Sequence, residues 1–177
     1  EEAKRHLGIA SGNKLVLFFG FIRKYKGLDL LFDAIALLKK QGFFDRHPVR
    51  FLIAGEFYED ALPYLQQIER LAISDYLILR QEFIPDSEVK YYLSAADCVI
   101  QPYRSATQSG VTPLAYHFNV PMIVTRVGGL PALVPAQVGR IAEPHAESLA
   151  EHITAFFNSD ASHYREAIQE EKKKYSW

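Results

Sequence analysis

The sequence predicts an α/β domain in which a parallel sheet is flanked by helices on both faces. Two observations carry that expectation. Short, nearly continuous apolar runs ending in glycine, KLVLFFG at 14–20 and VRFLIAG at 49–55, suit strands buried on both faces. Amphipathic stretches of helical period lie between such runs, and strands alternating with helices of this length imply βαβ units with right-handed crossovers.

Taken in order, 14–20 is the first strand. LDLLFDAIALLKKQG at 28–42 follows as a helix, because Leu28, Leu31, Ala34, Ile35 and Leu38 recur at helical spacing and Gly42 closes its C-terminus. The run at 49–55 is the second strand, and 60–73 repeats the amphipathic helix with Pro63 in its first turns. YLILRQEF at 76–83 is the third strand. DSEVKYYLSAA at 86–96 is a short helix capped by Asp86, with Val89, Leu93 and Ala96 on one side. CVIQPY at 98–103 is the fourth strand, and the small polar stretch RSATQSG leads to a helix over 112–119 with Thr112 as cap and Pro113 as first helical residue. PMIVT at 121–125 is the fifth strand. VGGLPALV is a turn into a short helix, VGRIAEP a last strand or extended segment, and 147–160 and 161–177 are two terminal helices.

Composition narrows the function. A 49% hydrophobic content over 177 residues is enough for the core of one domain, and a 23% charged fraction without low-complexity tracts argues against disorder. No apolar run approaches the roughly 20 residues needed to span a bilayer. Twenty basic against 21 acidic side chains give a formal charge of −1, so no global field advertises nucleic acid, and an anion site has to be local. The single cysteine, Cys98, excludes an intrachain disulfide or a Cys-based zinc cluster; its DCVIQPY setting reads as a buried strand and fits a reducing cytoplasm. The N-terminus opens as though in mid-helix, lacks a signal-peptide pattern and has no initiator Met, so the sequence reads as a piece of a longer protein.

Ligands of such sheets bind beyond the carboxyl ends of the strands, which directs attention to the loops at 20–27, 55–60, 82–86, 104–112 and 126–130. GFIRKYKG carries Arg23, Lys24 and Lys26 between two glycines and runs straight into a helix, a pattern suited to phosphate; the spacing is neither GxGxxG nor GxxxxGK[ST]. A solvated basic turn is the plainer alternative. In RSATQSGVTP, Ser105, Thr107, Gln108, Ser109 and Thr112 offer hydroxyl and amide groups, and Gly110 lets a ligand approach backbone N–H groups at the helix start. That suits a hydroxyl-rich phosphorylated ligand, against the alternative of a capping loop with no ligand. Gly128 and Gly129 permit close approach or simply form a turn. Arg104 reads as a solvated loop arginine before a phosphate contact, and His117 as a packed or capping residue, since no Asp or Cys completes a constellation around it. His6, His47, His145, His152 and His163 are dispersed without metal spacing. EEKKKY reads as a solvated helix face, with a membrane-surface role as the weaker option.

The order FFG…YKGLDLLFDAIALL, FLIAG, DSEVKYYLSAADCVIQPY, SG…A…VPMIVTRVGGLPALV, with YSW at the end, resembles the donor-binding half of the retaining family-4 (group 1) glycosyltransferases of GT-B fold, over nearly the whole chain. The resemblance implies a Rossmann-like C-terminal half that holds a nucleotide-sugar, with an absent N-terminal half supplying a glycan, lipid-linked or other hydroxyl acceptor. Residues 1–177 are then one donor-binding domain. By the family pattern Lys26 contacts the donor diphosphate. The usual partner Arg after the first glycine is Phe21 here, so the second cation falls to Arg23. Together with Gly20 and the Gly110, Val111 and Thr112 backbone, these residues form the expected diphosphate site. The family's E-x7-E pair, directed at donor sugar and ribose, falls on Ala106 and Leu114. Neither is acidic, which removes charge-assisted hydrogen bonds. Thr107, Gln108 and Ser109 then become the expected sugar contacts, Gln108 pairing with hydroxyls without acting as a base. Leu114, one residue into a helix starting at Pro113, is expected to face the sheet.

The implied activity is metal-independent transfer of a sugar from nucleotide diphosphate to a hydroxyl with retention, the nucleotide-sugar being substrate and no cofactor being called for. No catalytic residue is assigned. Two rivals share the architecture: a sugar-nucleotide epimerase, which needs acidic and histidine groups near the sugar, and a catalytically inactive nucleotide-sugar- or partner-binding domain, which the missing glutamates favour.

Overall fold

The computed structural model describes residues 1–106 and 109–175. Six strands, β1 (Lys14–Phe19), β2 (Val49–Ala54), β3 (Leu77–Arg80), β4 (Cys98–Gln101), β5 (Met122–Thr125) and β6 (Gly139–Ala142), form one sheet in the order β3-β2-β1-β4-β5-β6. Every pairing is parallel. The order reverses between β1 and β4, and in open sheets of this kind a crevice opens beyond the carboxyl ends of the strands at that switch point.

The apolar runs form central strands because both faces are covered. Along β1, Val16 and Phe18 point into one core with Phe51 and Ile53 of β2, while Leu15 and Leu17 point into the other with Leu52 and Ala54. The first face is closed by α2 (Leu28–Lys40), α3 (Phe43–Arg46), α4 (Leu62–Leu71) and α7 (Ala146–Asn158), through residues such as Leu31, Phe43, Ile68 and Phe156. The second is closed by α1 (Glu2–His6), α5 (Asp86–Ala95), α6 (Val111–His117) and α8 (Ser162–Glu171), through Ala3, Leu93, Tyr116 and Ile168. Both faces of the sheet are therefore covered by the chain's own elements. Cys98 lies in the first core with no exposed surface, as its strand setting predicts, and burial pushes its thiol far above the ordinary range.

Three sequence expectations are corrected. The third strand ends at Arg80 rather than running to 83, because the chain leaves the sheet and turns Phe83 and Ile84 towards the crevice. The helix expected to start at Pro113 starts at Val111, with Gly110 at its cap position and the Ser109 hydroxyl accepting the Val111 N–H at 3.2 Å. Thr112 therefore caps nothing: its side chain is fully buried and hydrogen-bonded to Gln101. His117, in the last turn of that helix, is exposed rather than packed. The terminal lysines are tied down locally, Lys172 to Asn119, Lys173 to Glu170 and Lys174 to Glu171. Among the described residues no helix is long and apolar enough to cross a membrane.

Candidate functional site

The loops after β1 and β2 are joined backbone to backbone. The Gly20 N–H donates to the Ala54 carbonyl at 3.0 Å, Ile22 N–H to Glu56 at 2.8 Å, and Tyr58 N–H to Ile22 at 3.1 Å. That approach requires Gly55, whose φ is +148° and whose Cβ, if it had one, would fall 1.9 Å from the Gly20 oxygen. The two loops thus form one stiff lip, extending the sheet past its last regular pair.

Beneath this lip lies a crevice of about 410 Å³ between the ends of β1 and β2, the chain after β3, and the starts of α5 and α6. Its walls are mostly apolar, with Phe19, Phe21, Phe83, Ile84, Val89 and Leu114, and its two charged groups are Glu56 and Asp86. Leu114 is half-buried, lining this space while also packing against the second core, so it does not face the sheet alone as expected; Val111, Thr112, Ala115 and Tyr116 take the buried positions of α6.

Lys26, in a 3-10 turn at Lys24–Lys26, places its ammonium beside Gly20, which lines the β1 end of the crevice. That ammonium is so close to Gly20 that a Cβ there would lie 3.0 Å from Nζ. Among the described residues no carboxylate pairs with it; Tyr103 offers its ring face at 6.0 Å. Desolvation, and secondarily the charge of Arg23, holds its pKa below the usual lysine value. A half-buried ammonium with no acid partner among the described residues, beside the end of a crevice, is a place where an anion would be stabilised.

The other expected site residues are distributed unevenly. Arg23 lies with its guanidinium 4.5 Å from the centre of the Tyr58 ring, which stacks on Phe21 at 4.2 Å, so it is held on an aromatic platform at the lip. Gly110 is open, with nothing within 4 Å of where a Cβ would stand, and Val111 packs towards Gly20. Ser109, an expected sugar contact, donates its hydroxyl to Gln101 at 2.6 Å and accepts from the Val111 N–H, which supports the start of α6. Thr107 and Gln108 lie outside the described residues. Arg104 is accounted for by an ion pair with Asp29 at 2.5 Å. The turn after β5 is fixed against the same loop: Gly128, at φ +51°, lies where a Cβ would meet the Ala106 carbonyl oxygen at 1.6 Å.

Sequence reading did not single out Glu56, Phe83 or Ile84, although they stand in loops flagged by position, and it took Asp86 only as a helix cap, a reading corrected by the structure: Pro85 holds the cap position and Asp86 is the first residue of α5. The signal of Glu56, Phe83 and Ile84 was topological, each following a strand at the same sheet edge, and no residue pattern marked them.

Residues 1–175 match the family described as Glycosyl transferases group 1. The chain belongs to the group 1 glycosyltransferases. The D-inositol 3-phosphate glycosyltransferase of Corynebacterium glutamicum (strain R) is 30% identical over 190 residues, covering 100% of this chain and 43% of that protein. The gpi3 subunit of phosphatidylinositol N-acetylglucosaminyltransferase from Schizosaccharomyces pombe is 28% identical over 156 residues, 86% of this chain and 33% of its own. This group 1 chain thus spans less than half the length of these curated relatives. In fold it matches the C-terminal domain of the group 1 glycosyl transferase LpcC from Francisella tularensis, with TM-score 0.81, 17% identity and coverage of 98% and 90% of the two chains. It also matches Anabaena HepE, solved in complex with UDP-glucose, with TM-score 0.81, 20% identity and coverage of 99% and 48%. The expected α/β fold, a Rossmann-like half of GT-B type, is thereby established.

Proposed function

We propose that this chain is the donor-binding half of a retaining glycosyltransferase that holds a nucleotide diphosphate-sugar, and that a further domain brings the hydroxyl acceptor. The observation that carries the reading is the Lys26 ammonium, which has no acid partner among the described residues, beside Gly20 at the sheet's switch point. A diphosphate there restores to the ammonium the charge-assisted contacts that burial denies it. As the glycosidic bond breaks, negative charge grows on the departing diphosphate, and a fixed cation in a partly dehydrated crevice stabilises that charge more than it stabilises the bound substrate. Arg23, held at the lip, adds to the positive potential, and the Gly110–Thr112 backbone closes the other side of the same end. Thr107 and Gln108 remain proposed sugar contacts on sequence grounds.

The replacement of both family carboxylates by Ala106 and Leu114 favours a second reading, a nucleotide-sugar-binding domain without transfer. The test is donor turnover by the longest native form of the protein against this 177-residue chain. The first reading predicts turnover by the former only. Binding of donor without turnover by either supports the second.

A further inference from the structure

Resting on the donor-site reading, the geometry points to Glu56 as the group that grips the ribose hydroxyls of the nucleotide. The diphosphate end of the crevice is fixed at β1 by Gly20 and Lys26. From there the crevice runs across the end of β2 to Phe83 and Ile84, beyond β3. Neighbouring strands are about 4.8 Å apart, so a nucleoside laid along this path places its ribose, the unit next to the diphosphate, over the end of β2, and its base against Phe83. Glu56 is the first residue after Gly55 at that strand end.

Its position is held, while its carboxylate is unused. The Glu56 carbonyl is pinned by the Ile22 N–H at 2.8 Å, and Gly55 is clamped on Gly20. Among the described residues the half-buried carboxylate has neither a hydrogen bond nor an ion pair, and it lines an otherwise apolar stretch of wall. Asp86, the other acid of the crevice, is exposed at the first position of α5, where a negative charge complements the helix end and has a local reason to be. Glu56 has no such reason. An ionised carboxylate only accepts hydrogen bonds, and the adjacent 2′- and 3′-hydroxyls are the paired donors that reach the β2 end. The facing Leu114 has no acceptor to offer them.

The experiment is a cycle between protein and ligand, read by calorimetric titration of the chain with UDP, GDP and ADP, each beside its 2′,3′-dideoxy counterpart. Wild type binds whichever ribonucleotide it prefers about ten- to a hundredfold more tightly than the dideoxy form. Glu56→Gln and Glu56→Ala, with melting curves showing both folded, lose that difference while binding the dideoxy ligand as wild type does. Equal losses for both forms overturn the ribose assignment and leave the donor site standing. A loss that follows the base, GDP over UDP, and ignores the hydroxyls also overturns it. Absence of binding by all three diphosphates to wild type overturns the assignment and the donor-site reading together.

Discussion

Replacing Lys26 by Ala separates a phosphate site from a solvated basic turn. In the free chain the ammonium is partly stripped of water, feels the charge of Arg23 and, among the described residues, has no acid partner, so its removal takes away no favourable ion pair. The melting temperature is expected to stay level or rise slightly. With a diphosphate present, the same ammonium makes hydrogen bonds to charged oxygens, each worth about 1.5–3 kcal/mol, so its loss weakens binding about 10- to 150-fold. Uridine, which lacks the diphosphate, is expected to bind wild type and Lys26→Ala equally. Calorimetric titration of both proteins with UDP and uridine reads the difference directly. The lowered pKa adds a pH signature. Diphosphate binding to wild type weakens as pH rises and the ammonium loses its proton, over a window beginning below the 10.5 of an ordinary lysine, and Lys26→Ala lacks that step. Equal losses for UDP and uridine, or no loss for either, would refute the placement of the phosphate at Lys26.

Three further outcomes follow from the packing. Gly128→Ala forces a Cβ onto the Ala106 carbonyl from a left-handed backbone, and is expected to cost about 2 kcal/mol, lowering the melting temperature by about 4–8 °C; an unchanged melt contradicts the close approach of the two loops. Leu114→Glu puts a carboxylate into the crevice rather than the core, so it costs about 1 kcal/mol or less and tightens ribonucleotide binding in a Glu56→Gln background; a collapse in stability with no gain in binding places Leu114 in the core. Cys98, fully buried with its thiol held protonated, is expected to resist a thiol-reactive dye in the native chain and to react fully in denaturant; fast native labelling contradicts its burial.

The strands were legible because burial on both faces leaves an almost unbroken apolar run, and in KLVLFFG and VRFLIAG the closing glycine marks where the chain turns over the crevice. Helices α2 and α7 were equally plain from their apolar spacing. The start of α6 was hidden because its determinants are tertiary. Gln101, at the end of β4, supplies a buried partner for both Ser109 and Thr112, drawing a polar threonine into the core. Leu114 is left facing the crevice, where an apolar residue looks from sequence like core. The basic loop was visible, but not how its cations divide: Lys26 turns in beside Gly20, whereas Tyr58, 35 residues after Arg23 in the chain, draws the arginine to the lip. Glu56 escaped notice for the same reason, since its setting comes from the joining of two loops that are distant in sequence.

The central claim is that a nucleotide diphosphate-sugar lies in the crevice along the ends of β1, β2 and β3. Amide-resolved NMR titration of the isotopically labelled chain with UDP-glucose, GDP-mannose and ADP-glucose tests it most directly. The account predicts saturable shifts, with at least one of the three donors, at Gly20, Lys26, Glu56, Ile84, Gly110 and Leu114, which line or border the crevice. Absence of shifts with all three, or shifts confined to the adjoining hollow around His6, Arg80 and Tyr92, which shares Phe83 and Ile84 with the crevice, would contradict it.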